Sequence, residues 1–69
     1  MKHRNLKIGQ WLRLKGDDDN PPLEVVVTCI YPKNEHFDGV IITHDSKYEF
    51  GNIERGFNCN FFKIIKDVE

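Results

Sequence analysis

The sequence predicts a mainly β fold of five short strands curled into a small barrel, on three observations. Apolar and polar residues alternate over 8–15, β-branched residues crowd 23–31 and 39–44, and clusters of Gly, Pro, Asn, Asp and Ser separate these runs at short intervals. A chain of 69 residues has room for a single domain with one small core. Five Phe, one Trp and two Tyr are enough apolar bulk to build that core, so disorder of the whole chain is not expected.

The first strand is expected over 8–15, where alternation puts Ile8, Leu12 and Leu14 on one face and Trp11, Arg13 and Lys15 on the other. Gly16 ends it. The run 17–22, Asp-Asp-Asp-Asn-Pro-Pro, favours turns and offers few ladder donors, so it reads as a solvated loop. The second strand, 23–31, is crowded with β-branched residues that resist helix, and its odd positions Leu23, Val25, Val27, Cys29 and Tyr31 form the expected inward row. Pro32 closes it, and 33–38 forms a polar connection. A hairpin follows, with strands over 39–44 and 47–50 joined at His44-Asp45-Ser46. Residues 52–55 are expected to make one short helical turn, and a last strand over 61–66 closes the sheet.

The opening Leu6-Lys7-Ile8-Gly9-Gln10-Trp11-Leu12, followed by a strand, a hairpin and a closing Phe62-Lys63-Ile64, resembles small SH3-like barrels of the KOW and Tudor type. It is also similar to short proteins of bacteria and their phages. The resemblance implies a five-stranded SH3-like barrel over 1–69 with one helical turn before the last strand. It implies no catalytic residue.

Charge and chemistry narrow the function. The charged residues nearly cancel, at a formal −1, so no global field draws in nucleic acid or anionic lipid. Two cysteines without CxxC spacing, and no apolar run after the basic N-terminus, point to a reduced cytoplasmic setting without export or a membrane span. Asp17, Asp18 and Asp19 lack the alternate-ligand pattern of a calcium loop, and His3, His36, His44, Cys29 and Cys59 lack the close pairs that zinc favours. No metal or cofactor is expected. Cys29 reads as a small buried hydrophobe and Cys59 as a half-exposed thiol. His44 and Asp45 are sequence neighbours in a turn with no nucleophile placed beside them, so no enzyme activity is expected.

What remains is binding. Trp11 beside Arg13 on an outer face has the composition of an interface hot spot, and Tyr31, Phe37, Tyr48 and Phe50 could complete an aromatic patch. The expected function is a small non-catalytic module that docks on a protein partner, such as a phage or mobile-element accessory protein. The alternative is nucleic-acid binding through Lys2, Arg4, Lys7, Arg13 and Lys15, with Trp11 and Phe37 as stacking platforms. A third reading pairs strand edges between copies of the chain.

Overall fold

The computed structural model describes residues 6–44 and 46–68. It is mainly β, with β1 over Trp11–Leu14, β2 over Leu23–Ile30, β3 over His36–Ile41, β4 over Ile53–Asn58 and β5 over Phe62–Lys66. All ladders are antiparallel, and the strands lie in the order β4-β3-β2-β1-β5. Strands β1 to β4 meander, and β5 returns to the open side of β1. A 3₁₀ turn, Cys59–Phe61, stands immediately before β5. No ladder joins β4 to β5 among the described residues, so the sheet is not closed by backbone pairing.

Side chains draw those two edges together. Phe37 of β3 is 0% exposed, and its ring meets Phe57 of β4 at 5.5 Å and Phe62 of β5 at 5.2 Å between centroids. Phe57 and Phe62 meet each other at 5.4 Å. Each such pair contributes about 1 kcal/mol beyond the area it buries. Leu12, Leu23, Val25, Val27, Ile41 and Cys59 complete the core around them.

The fourth strand lies later than the sequence predicts. Residues 47–50 form no strand, because the Ser46 hydroxyl donates to the Tyr48 carbonyl at 3.0 Å and accepts the Tyr48 amide at 3.1 Å. Those are the two groups a ladder would need. The segment expected to hold a helical turn is instead β4, which bulges where its register with β3 shifts between Phe37 and Gly39. Gly56 in that bulge takes φ +75°, a conformation that suits glycine, and donates its amide to Asp38 Oδ1 at 3.1 Å. The first strand is also shorter than predicted. Ile8, expected inward, is 63% exposed in a turn before β1.

A second bulge turns Cys29 outward. The β2–β3 register shifts between Val27 and Cys29, so the inward row runs Leu23, Val25, Val27 and then moves to Ile30, which packs on the core opposite Phe37. Cys29, expected inside, is exposed, and Cys59, expected half-exposed, is buried. A one-residue shift moves every later side chain to the other face.

One polar side chain sits in the inward row. Gln10 is 0% exposed; its Oε1 accepts the Lys7 amide at 2.9 Å and its Nε2 donates to Asp67 Oδ1 at 2.8 Å. The backbone amide of Gly9 donates to the Val27 carbonyl, and the Val27 amide to that of Gln10, so this corner ties the approach to β1 to β2 and to the segment after β5. The Gln10 amide, more than any other group, holds the Asp67 carboxyl below its ordinary value of 3.8.

Two outcomes follow from these placements. A thiol reagent should modify Cys29 in the native protein and Cys59 only on unfolding; equal protection of both would remove the β2 bulge. Gln10→Ala should lower stability by about 2 kcal/mol in urea melts, the scale of a lost buried amide network. Because the Asp67 pKa is depressed, its contribution is present above pH 3.8 and fades as pH falls through the lowered value. The same variant should therefore lose less stability on acidification than the wild type.

Candidate binding site

The residues expected to form one aromatic patch do not come together. Trp11 and Arg13 do share the outer face of β1, and both are tied to Glu24 on β2. The Trp11 indole N–H donates to Glu24 Oε1 at 3.0 Å, and Arg13 Nε lies 3.6 Å from Glu24 Oε2. Trp11 is half-buried, while the Arg13 side chain is 48% exposed. Tyr31 donates its hydroxyl to Asp38 Oδ1 at 2.7 Å, a bond that raises its pKa above 10.0 by favouring the protonated phenol. Phe37, expected on a surface loop, is instead the centre of the core, so it can be neither an interface residue nor a stacking platform. Tyr48 packs edge-on against Phe57 at 5.9 Å with the Lys47 ammonium 5.5 Å above its ring. Phe50 stands apart, exposed and stacked on His44 at 4.2 Å.

One concavity lies where the sheet fails to close. A groove of about 420 Å³ runs between the 15–22 loop on one side and Ser46, Lys47, Tyr48 and the end of β4 on the other. Leu14, Leu23, Phe57 and Phe62 line it from the core side, and Phe61 of the 3₁₀ turn stands at its lip, 69% exposed. The 3₁₀ turn is held by Asn58, whose side chain accepts the Asn60 amide at 2.9 Å.

The 15–22 wall is shaped by its own hydrogen bonds. Asp17 Oδ1 accepts the amides of Asp19 at 2.9 Å and Asn20 at 2.8 Å, and these bonds hold the Asp17 carboxyl below 3.8. The Asp17 amide donates to the Asn20 carbonyl. Gly16 sits where a Cβ would come within 2.6 Å of the Pro22 nitrogen, so the loop folds tightly back onto β2 only with glycine there.

Of the cations in the nucleic-acid reading, Lys7 and Lys15 are exposed, and Lys2 and Arg4 lie outside the described residues. The fold adds two that sequence order conceals. Lys63 pairs across the β1–β5 ladder with Arg13, and Lys66 with Trp11. Phe57, Phe61 and Lys63 were not among the expected site residues. The strand pattern carries no signal for them, because they meet their neighbours only after β5 returns beside β1.

Among the described residues, no group of three or more His, Cys, Asp or Glu could hold a metal ion, and no helix is long and apolar enough to cross a membrane. No family model matches the chain, and the searches of curated proteins and of solved structures found no match.

Glu24→Ala should free both Trp11 and Arg13, lowering stability by about 1 kcal/mol, since the carboxylate is partly solvated. The Trp11 emission should shift to the red as the indole gains water. Unchanged emission would mean that Glu24 does not hold the indole.

Proposed function

We propose that this chain is a small non-catalytic protein-binding module, an SH3-like barrel that takes an extended segment of a partner protein in the groove at its open seam. The observation that carries the reading is the exposed Phe61 at the lip of an aromatic-lined groove, with Tyr48 and Phe57 along the same cleft. A large aromatic left in water beside an apolar cleft is the arrangement that gains most when a partner side chain displaces solvent. The strand order, in which a four-strand meander is followed by a 3₁₀ turn and a strand returning to β1, supports the small-barrel assignment.

The Trp11–Arg13 face remains part of the reading as a second, flatter surface. Its side chains are pre-ordered by Glu24, which lowers the entropy lost on contact, but the Trp11 indole N–H is already engaged. The nucleic-acid reading through the N-terminal stretch has less support. Asp17, Asp18 and Asp19 follow directly on the basic stretch and oppose the field that reading needs, on a chain of net charge −1.

The test is selection of a displayed library of random ten-residue peptides on the folded domain. Wild-type protein should enrich a family of related peptides carrying an apolar or aromatic anchor. Phe61→Ala should weaken their binding tenfold or more, about 1.4 kcal/mol, while leaving the melting temperature essentially unchanged, since the ring is exposed. A Phe61→Ala variant that binds the selected peptides as the wild type does would contradict the seam groove as the binding site.

A further inference from the structure

Resting on the seam-groove reading, we infer that the partner segment is acidic on one side of its apolar anchor, and that Lys15, Arg13 and Lys63 receive its carboxylates. A second hollow, also of about 420 Å³, lies on the outer side of the β1–β5 ladder. It is lined by Arg13, Lys15, Gly16, Lys63, Ile64 and Ile65. Among the described residues, three cations therefore surround one depression and no carboxylate lines it.

Lys15 lines both hollows, so the seam groove and the cationic depression adjoin at this residue. The ladder register sharpens the point. Arg13 and Lys63 stand directly opposite each other, and like charges in that position destabilise a sheet. Among the described residues, Glu24 pairs with Arg13 from the β2 side and no carboxylate pairs with Lys63. Lys66, opposite Trp11, extends the positive strip along the same ladder.

Among the described residues, the one carboxylate lining the seam groove is Asp17, and its Oδ1 is occupied by amides of its own loop. It shapes the wall and does not balance Lys15 and Lys47 by a contact among the described residues. An acidic peptide fits this arrangement better than a nucleic acid. A few carboxylates need only the few cations present, whereas a phosphate backbone draws its affinity from many neutralised charges and would meet Asp17, Asp18 and Asp19 beside the site on a chain of net charge −1.

The experiment repeats the peptide selection with the wild type and with a Lys15→Glu, Lys63→Glu double variant, both exposed positions. Wild type should enrich Asp or Glu on one fixed side of the apolar anchor. The double variant should keep the anchor, lose the acidic enrichment and bind the wild-type peptides about five- to tenfold more weakly at low salt, a difference that shrinks as salt is raised. Enriched peptides with an anchor but no acidic bias, or an acidic bias unmoved by the double variant, would overturn this inference and leave the seam groove standing. Recovery of no related peptides would overturn both. Tight binding of single-stranded oligothymidine that the double variant abolishes would overturn the peptide assignment in favour of a nucleic acid.

Discussion

Phe57 on one edge strand and Phe62 on the other are far apart in sheet order, yet their rings touch, and Phe37 sits across both. Holding these edges together by side chains is the constraint on which the remaining architecture depends. An open five-stranded sheet of this size would leave one face of Leu12, Val25 and Ile41 in water. Curled so that the phenylalanines meet, the same sheet buries all three. The curl is localised by the bulges in the β2–β3, β3–β4 and β1–β5 ladders, since an extra residue on one strand bends and twists it.

The same constraint creates the groove. Rings can bridge two edges, but they cannot supply the hydrogen-bond ladder that would seal them, so the seam keeps a cleft lined by the outer sides of the aromatic cluster. The tight 15–22 loop and the Ser46–Tyr48 turn then wall it. In the proposed reading, binding and stability share residues at the seam: Phe57 belongs to both the groove lining and the core packing, whereas Phe61 is on the surface alone.

Much of the fold was legible where one simple period persisted. Strand β2 alternates cleanly through Leu23, Val25 and Val27, and β1 places Leu12 in and Trp11 and Arg13 out, as the pattern requires. Legibility ended where the period broke. The bulge after Val27 sent Cys29 outward, and the Ser46 side chain took the backbone groups of Tyr48 that a strand would have used. Gly56, which weakened the appearance of a strand over 53–58, marks the bulge that β4 needs. Nothing local marked Gln10 for burial, because Lys7 and Asp67 converge on it from opposite ends of the chain. The candidate site was less legible than the fold because its parts are joined only by tertiary closure. Nothing local links Lys15 to Phe61, or Arg13 to Lys63.

The most direct test of this account is a nuclear Overhauser spectrum of the aromatic ring protons in the isolated domain. Cross-peaks from Phe57 to Phe62, and from Phe37 to both, are predicted, because the three centroids lie 5.2–5.5 Å apart. Cross-peaks confined to Phe37 and Phe57, with none reaching Phe62, would mean that β5 does not close onto β4, and the seam groove described here would not exist.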